Sequence, residues 1–436
     1  MTAIGDLVEA AIEGLGARGD GIAQLDGRRL FVPFAAPGDR LLVRIEAEDR
    51  DGLRGVAVER LADGPGRQAP LCRHFGDCGG CTAQHLDDAT YAAWKSAVLH
   101  DALVHRGLDA AVVAPLHHVA PGTRRRARLK ARRLPDGVAL GFFAPLSHRV
   151  VDLAECPVLA PPLVAVLPAL RDALAGLLAV GATADAAVTA SETGVDLVLG
   201  LSQAADRTLL ARAATLAEAA DLARVSIRRV GTGRQPTGPA ELAAQRRKVQ
   251  VGFSGVTVDL PPDAFLQPTA EGERFLAAAV TAAIGNARRV ADLYCGCGAF
   301  ALSLLGQGRH VRAADSAADH VTALEAAARR SGFGAQLRSE ARDLSRRPLI
   351  GDDLSGLEAV VLDPPRPGAP QQAKALATSA VPTIAYVSCN PASFARDARV
   401  LIDGGYRLES VQPLDQFVFS PHLELVGVFR KQRQRR

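Results

Sequence analysis

The sequence predicts a multidomain protein with an N-terminal OB-like β-barrel, a central α+β region and a C-terminal α/β doubly wound, Rossmann-like domain. Short β-type runs separated by glycine-rich turns fill residues 1–62, and residues 63–250 mix apolar helices with strand-like runs. From about residue 285, buried strands, glycine-rich turns and helices alternate, which is the pattern of a parallel sheet covered by helices. We therefore expect domains at residues 1–62, 63–250 and 251–436.

Length and composition set broad limits. The chain has 436 residues, of which 48% are hydrophobic, enough for two or three cores, and a net charge of +4 that does not by itself indicate nucleic-acid binding. The first residues lack a basic segment followed by an apolar run, so we expect no secretory signal and a cytoplasmic protein. The most apolar stretch, residues 161–180, is interrupted by Pro168, Arg171 and Asp172, which predicts an amphipathic helix and no membrane span.

The N-terminal segment carries turn signals at the spacing of a small barrel. Asp26-Gly27 lies between two apolar runs and predicts a β-hairpin. A second turn at Pro37-Gly38-Asp39 precedes a strand over residues 41–45, and residues 55–59 are expected to complete the barrel. The segment resembles the TRAM domain, an OB-like RNA-binding module, although a generic barrel with another role is the alternative.

Seven cysteines, an odd number in a chain without a predicted signal, indicate metal binding and catalysis more than disulfides. The first four supply the thiolates that a 4Fe-4S cluster needs. A zinc site with four cysteine ligands is the rival, but zinc sites usually pair two C-x-x-C motifs, and here the fourth ligand stands alone. These four are Cys72, Cys78, Cys81 and Cys156. Cys295 and Cys297 lie in a glycine turn and are expected to be buried thiols without chemistry.

A cofactor pocket is predicted where the C-terminal domain begins its alternating pattern. A buried strand ends near Asp292, followed by Gly296-Cys-Gly298 and a helical run, and the next strand ends at Asp315. The glycines allow close approach of a ligand, and the two carboxylates suit ribose hydroxyls. A dinucleotide site would carry a third glycine in this turn. The pattern therefore favours S-adenosylmethionine over NAD.

Two further strands end in residues suited to catalysis. Asp363 begins the run Asp-Pro-Pro-Arg-Pro-Gly, in which the paired prolines hold an extended loop. Cys389 follows the next apolar strand, where a thiolate could attack a bound substrate, and Arg366 or Arg396 could favour the ionised form. Glu424, in His-Leu-Glu, is the candidate base.

These motifs, in this order and spacing, resemble those of the RNA uridine-C5 methyltransferase family, and the resemblance covers most of the chain. It implies that Cys389 is the nucleophile, adding to carbon 6 of uracil, and that Glu424 removes the proton from carbon 5. It also favours the iron-sulfur cluster over zinc. Four residues are implied to contact the cofactor: Gln267, Tyr294, Asp315 and Asp363.

The chain departs from the family pattern at three places. Thr269 stands where the family usually has asparagine, and Ala299 where it often has asparagine or threonine. The run Asp415-Gln-Phe-Val-Phe-Ser420 replaces a loop that usually reads Asp-Met-Phe-Pro-Gln-Thr. These differences concern cofactor contacts and loop shape, and they leave the predicted chemistry intact.

RNA is the expected partner. Residues 123–133 alternate so as to give a strand with one basic face, for which a phosphate backbone is the natural partner and a solvated charged strand the alternative. Family members acting on tRNA typically lack the TRAM-like domain and the cysteine cluster, so the resemblance favours 23S rRNA, with tRNA as the alternative. A non-catalytic iron-sulfur RNA-binding protein on the same fold is the second alternative. We expect no obligate protein partner.

Overall fold

The computed structural model describes residues 2–203, 206–231 and 238–432. Its N-terminal part is a six-stranded sheet with the strand order β1-β5-β6-β4-β3-β2. The strands are β1 (Leu7–Ala11), β2 (Gly14–Leu15), β3 (Gly21–Leu25), β4 (Arg28–Val32), β5 (Arg40–Asp49) and β6 (Gly52–Ala62). Asp26 and Gly27, between β3 and β4, both have positive φ (51° and 75°), as a tight hairpin turn requires. The predicted all-β segment and its hairpin are confirmed, and closure into an OB-like barrel stays a prediction.

The central part is built on a seven-stranded sheet of order β10-β9-β8-β11-β12-β13-β14. Its strands are β8 (Arg126–Leu134), β9 (Gly137–Phe143), β10 (Val150–Asp152), β11 (Thr183–Ser191), β12 (Gly194–Leu201), β13 (Arg224–Arg229) and β14 (Glu241–Gln245). Its helices are α2 (Pro161–Ala165), α3 (Leu167–Leu177) and α4 (Arg207–Ala219). Val166 separates α2 from α3, and Pro168 is the second residue of α3. The single helix predicted over residues 161–180 is therefore divided into two. None of the helices in the described ranges is long and apolar enough to cross a membrane.

The C-terminal part centres on an eight-stranded sheet of order β19-β18-β17-β20-β21-β23-β22-β7, parallel from β19 to β21. Two strands form a separate hairpin: β15 (Gln250–Phe253) and β16 (Val256–Asp259). The sheet strands are β7 (His117–His118), β17 (Arg289–Leu293), β18 (His310–Asp315), β19 (Leu337–Ala341), β20 (Ala359–Leu362), β21 (Thr383–Ser388), β22 (Tyr406–Asp415) and β23 (Glu424–Lys431). The helices are α5 (Ala270–Ile284), α6 (Ala299–Leu305), α7 (Ala318–Arg330), α8 (Pro370–Ala377) and α9 (Pro391–Asp403).

Alternate residues of the parallel strands enter two different cores. Val290 and Val361 pack with α5, α6 and α7, whereas Leu293 and Leu362 pack with α8 and α9. Because neighbouring residues of a strand point to opposite faces, the sheet is buried on both sides. The prediction of a multidomain chain with a Rossmann-like C-terminal domain is confirmed.

One helix of the predicted central segment belongs spatially to the C-terminal sheet. Helix α1 (Asp88–Val104) places Leu99 in the core with α8 and α9, and β7 extends the C-terminal sheet beside β22. Lys95 and Asp415 form an ion pair at 2.8 Å with each side chain 1% exposed, and the Tyr91 hydroxyl donates to the same carboxylate at 2.6 Å. Removing one member of such a buried pair typically costs about 3–5 kcal/mol. The domain boundary at residue 250 stays a prediction, but α1 and β7, which precede it in the sequence, pack with the C-terminal sheet.

The basic strand is β8, and its alternation is as predicted, with small or apolar side chains buried on one face and basic ones on the other. The partners of the basic side chains differ from the expectation. Arg128 binds Asp263 at 2.8 Å, Lys130 binds Asp185 at 2.7 Å, and the Arg126 guanidinium donates to the Leu266 carbonyl at 3.0 Å. Each of these three side chains therefore has a partner within the chain, and phosphate binding by β8 stays a prediction.

Candidate active site

The cofactor turn predicted after β17 forms at the carboxyl end of the parallel sheet. Tyr294 has φ of 65°, unusual for a residue with a side chain, and Gly296 and Gly298 also have positive φ before α6 begins. The Asp315 carboxylate, at the end of β18, accepts from the backbone N–H of Gly296 at 2.9 Å and of Ala317 at 2.8 Å. Asp315 thus fixes the turn from the neighbouring strand.

Asp292 is the most deeply buried acid of this edge. Neither of its carboxylate oxygens has a partner in good hydrogen-bond geometry among the described residues, although the backbone N–H of Ala301, at the start of α6, lies near enough to favour the ionised form. Burial raises the pKa of Asp292 to about 8, and the negative charge of Asp363 adds to the effect. Unpartnered buried carboxylate oxygens favour a ligand that brings positive charge or hydrogen-bond donors.

Gln267 and Asp363 are brought together although 96 residues separate them, and the Gln267 amide donates to the Asp363 carboxylate at 3.1 Å. The loop that carries Gln267 is held by Arg125, which precedes β8. Its backbone N–H and guanidinium donate to the carbonyls of Pro268 (2.8 Å) and Gln267 (3.0 Å), and its guanidinium also binds Glu273 at 2.5 Å. The basic segment therefore positions a predicted cofactor residue.

Cys389 lies between the end of β21 and the start of α9 and is partly exposed. The loop of the Asp-Pro-Pro-Arg motif is tied to α9, because the Arg366 carbonyl accepts from the Ser393 hydroxyl at 3.0 Å and from the Asn390 amide at 3.2 Å. Arg396 is paired with Asp397 at 2.8 Å. Of the two arginines considered for activating the thiol, Arg366 is therefore the one whose charge favours the thiolate.

The environment of Cys389 disfavours the thiolate in the isolated protein. Burial and the charges of Glu424 and Asp363 together raise the pKa of the thiol to about 12, although the charge of Arg366 opposes them. Glu424 opens β23 and is 3% exposed. Burial and the charge of Asp363 raise the pKa of Glu424, whereas a hydrogen bond from Gln416 lowers it. The predicted nucleophile Cys389 and the predicted base Glu424 are thus close enough for the charge of Glu424 to raise the pKa of Cys389.

The six residues predicted for the cofactor and the reaction all lie at the carboxyl edge of one sheet or on the loop that Arg125 fixes. Two further residues escaped prediction. Asp343 follows β19, and its charge contributes to the raised pKa of Tyr294, so it lies at the same edge. Its position after a parallel strand was the signal that could have identified it. Gln416 bridges Gln267 and Glu424, and the signal that could have identified it was its place in the run 415–420, which departs from the family pattern.

A cleft of about 530 Å³ opens beside Cys389, and we call it the active-site cleft. Its walls come from the N-terminal part, from α1 and the residues after it, and from the carboxyl edge of the C-terminal sheet, which we call the catalytic edge. They include Arg18, Trp94, Arg106 and Arg366. The Trp94 indole N–H donates to the Gly16 carbonyl at 2.8 Å and so connects α1 to the N-terminal sheet. The cleft has a basic rim that leads to the thiol.

The first four cysteines line a second cleft of about 390 Å³, the cysteine cleft: Cys72, Cys78, Cys81 and Cys156. Within the described ranges, no three His, Cys, Asp or Glu side chains are grouped closely enough to hold a single metal ion. The backbone N–H of Gly80 donates to the Cys78 sulfur at 3.4 Å, and Arg124 is a positive neighbour of Cys156 and Cys81. The predicted buried thiols, Cys295 and Cys297, are buried as expected.

Family comparisons match two segments of the chain. Residues 246–433 match the model described as tRNA (Uracil-5-)-methyltransferase. Residues 2–58 match the TRAM domain. Together the two matches cover the N-terminal sheet and the C-terminal sheet with the catalytic edge.

Whole-chain relatives extend this similarity. The chain is 41% identical to an uncharacterised RNA methyltransferase of Brucella suis, over 98% of each protein. It is 34% identical to a 23S rRNA (uracil(1939)-C(5))-methyltransferase of Halomonas elongata, over 95% of this chain and 88% of that protein. A solved structure of the Pyrococcus abyssi tRNA (uracil-54, C5)-methyltransferase, in complex with S-adenosyl-L-homocysteine, has a TM-score of 0.75 and 23% identity, covering 97% of this chain and 100% of that one.

The electrostatics of Cys389 predict slow, pH-dependent alkylation. Because the pKa of this thiol is about 12, its reaction with iodoacetamide should rise roughly tenfold per pH unit from about pH 7 to about pH 9. Glu424→Gln removes a negative neighbour only where Glu424 is ionised, and because burial raises the pKa of Glu424, the variant should speed the reaction little at about pH 7 and severalfold at about pH 9. Peptide-resolved mass spectrometry measures the rate at Cys389 separately from the other cysteines.

The control for this experiment is Glu358→Gln, which removes a carboxylate from the amino end of β20, where Glu358 pairs with Arg289. Its alkylation rate should equal that of the wild type. A pH-independent rate at Cys389, or equal rates in the Glu424 and Glu358 variants at about pH 9, would contradict the electrostatic description.

Proposed function

This chain belongs to the RNA uridine-C5 methyltransferase family, and on that basis we propose that it transfers a methyl group from S-adenosylmethionine to carbon 5 of a uridine in 23S rRNA. The observation that carries the proposal is that Cys389 and Glu424 lie at one sheet edge, where the charge of Asp363 raises the pKa of both groups. A nucleophile, a base and a cofactor edge within one site are what this reaction requires.

In the proposed reaction, the Cys389 thiolate adds to carbon 6 of the uracil. The electron pair of the carbon 5–carbon 6 double bond moves onto the carbonyl at carbon 4 and forms an enolate, which makes carbon 5 nucleophilic. Carbon 5 would then take the methyl group of bound S-adenosylmethionine, with the methyl–sulfur bond broken and S-adenosylhomocysteine as the leaving product. Glu424 removes the proton from carbon 5, the double bond re-forms, and the bond between carbon 6 and sulfur breaks to release the thiolate. Arg366 is the cation that favours the thiolate.

The residues at the edge fit S-adenosylmethionine. When bound, this cofactor supplies the methyl group on a positively charged sulfur. Asp292, Asp315 and Asp363 line the pocket with carboxyl groups, and burial raises the pKa of Asp292 and of Asp363. Gln267 and Tyr294 complete the proposed binding set, with Gln267 already donating to Asp363. A cation bound beside Asp292 and Asp363 would favour their ionised forms and so lower the pKa of both.

RNA is the macromolecular substrate of the family, and the TRAM domain match supports binding by the N-terminal sheet. We assign residues 1–62 to RNA binding, residues 63–250 to the cysteine-containing central domain and residues 251–436 to methyl transfer. The active-site cleft supports this assignment, since Arg18 from the N-terminal segment and Arg366 from the catalytic loop line the same space. A target uracil has to leave its stack to reach Cys389.

The choice of 23S rRNA rests on the relative of Halomonas elongata at 34% identity. Domain composition does not support it, because the archaeal tRNA enzyme superposes on 97% of this chain, N-terminal segment included. The expectation that tRNA enzymes lack these modules therefore does not discriminate here. tRNA is the second candidate substrate, favoured by the fold of that enzyme.

Deletion of the gene should remove 5-methyluridine from one position of 23S rRNA and leave tRNA unchanged. Mapping the modification in both RNA classes, with and without the protein, is the measurement. The wild-type gene should restore the modification, and a Cys389→Ala gene should not. Loss from tRNA instead would transfer the activity to tRNA, and no loss in either RNA would contradict the proposal.

RNA containing 5-fluorouridine should trap the enzyme covalently, because fluorine at carbon 5 cannot be removed as a proton. We expect a stable adduct with the wild type in the presence of S-adenosylmethionine and none with Cys389→Ala. With ordinary RNA, Glu424→Gln should accumulate an adduct that the wild type releases. An undiminished adduct in Cys389→Ala, seen by denaturing electrophoresis, would move the nucleophile elsewhere, and a wild type without any adduct would favour a non-catalytic RNA-binding protein.

The cysteine cleft is assigned to a 4Fe-4S cluster, with Cys72, Cys78, Cys81 and Cys156 as ligands. Three observations support the fit: all four thiols line one cleft, a backbone N–H already points at one sulfur, and Arg124 offers a compensating charge. The proposed methyl transfer needs no electron, so this group is given a structural role.

Protein purified without oxygen should contain about four irons and four sulfides per chain. Cys81→Ser or Cys156→Ser should lower the iron content to well below one cluster per chain and remove the visible absorption. Cys297→Ser, a change at a buried thiol outside the cleft, serves as the control and should keep the cluster. One zinc per chain and no sulfide would overturn the assignment.

A further inference from the structure

Gln416 connects the two halves of the active site. Its side-chain nitrogen donates to the Gln267 oxygen at 2.8 Å and to the Glu424 carboxylate at 3.1 Å. The Gln267 nitrogen in turn donates to Asp363 at 3.1 Å. Two amides therefore form a continuous hydrogen-bonded chain between the carboxylate on the cofactor side and the carboxylate of the proposed base.

The position of Gln416 is fixed from both sides. The preceding residue is Asp415, whose buried carboxylate is held by Lys95 and Tyr91. On the other side, the Gln416 oxygen faces the backbone of Gly272, and a Cβ at position 272 would overlap it. Gln416 is 1% exposed, and its oxygen has no partner in the described part of the chain. A buried amide that leaves its oxygen unsatisfied is retained against a cost in stability.

The amide orientation follows from its partners. Gln267 presents its oxygen to Gln416 because its nitrogen is used by Asp363, and Glu424 presents a carboxylate oxygen. Both contacts require a donor, so the nitrogen of Gln416 has to lie where it does.

We propose that Gln416 is a positioning residue for the base: its amide nitrogen orients the Glu424 carboxylate and links it through Gln267 to Asp363 at the cofactor pocket. This inference rests on the proposed function, in which Glu424 removes the proton from carbon 5. In this proposal Gln416 acts on the reaction through Glu424.

The charges around Glu424 give this contact a chemical consequence. Asp363, which follows β20, is the negative neighbour that raises the pKa of Glu424. Among the described residues, the Cys389 thiol, which follows β21, is a second titratable group that interacts with Glu424. The hydrogen bond from Gln416 opposes burial and Asp363, because an N–H donor favours the ionised carboxylate. Without it, the pKa of Glu424 rises further, and less of the base is ionised at neutral pH.

Gln416→Met supplies the test, since it keeps the volume and removes the amide. Under single-turnover conditions with RNA and S-adenosylmethionine, product release should be roughly tenfold slower at about pH 7 and should approach the wild-type rate at about pH 9. The covalent RNA adduct should accumulate at the lower pH only. Gln416→Asn, which is too short to span both acceptors, is the second variant if the methionine variant does not fold, and the same pH shift is expected.

Gln372→Met is the matched control. Gln372 is also a fully buried glutamine with both ends hydrogen-bonded, but its partners are the backbone groups of Leu349, away from the catalytic edge. This variant should lose stability without a shift of the pH profile. A Gln416 variant that is slower by the same factor at every pH, or unchanged, would overturn the inference. A wild type that forms neither adduct nor 5-methyluridine would instead overturn the proposed function.

Discussion

Asp292, Asp363 and Glu424 converge at the end of one sheet, and none of them forms an ion pair within the described residues. Water does not solvate these three carboxyl groups, and side-chain amides donate to Asp363 and Glu424 but not to Asp292. Burial therefore raises the pKa of all three. The same constraint keeps the Cys389 thiol protonated at rest. Buried carboxyl groups with raised pKa values ionise more readily beside a cation, and the positively charged sulfur of S-adenosylmethionine is such a cation.

The sheet edge could be predicted because its signals are local. Each of Asp315, Asp363 and Cys389 follows a short apolar strand, and parallel strands bring their carboxyl ends together. The hairpin at Asp26-Gly27 was predictable for the same reason, since the dipeptide itself determines the turn. In these places, residues adjacent in sequence were sufficient.

Long-range partners could not be predicted in this way. Lys95 and Asp415 are 320 residues apart, and nothing in either neighbourhood indicates that a lysine of α1 is buried against β22. The basic strand β8 has the composition of a phosphate-binding surface, yet Asp263 and Asp185 neutralise part of it. Gln416 lies in a loop whose sequence departs from the family pattern, but its hydrogen bonds to Gln267 and Glu424 and its contact with Gly272 depend on three other segments that meet it. Charge and periodicity describe one strand, not what packs against it.

The cysteine cleft is completed by the loop that ends at Glu424. The backbone N–H groups of Thr82 and Ala83 donate to the Phe419 carbonyl at 2.7 and 3.2 Å, and Ser420 and His422 of that loop line the cleft. Thr82 and Phe419 are separated by 337 residues, so during synthesis on the ribosome the cysteines emerge long before their final wall exists. The complete cleft can therefore form only when nearly the whole chain has been translated.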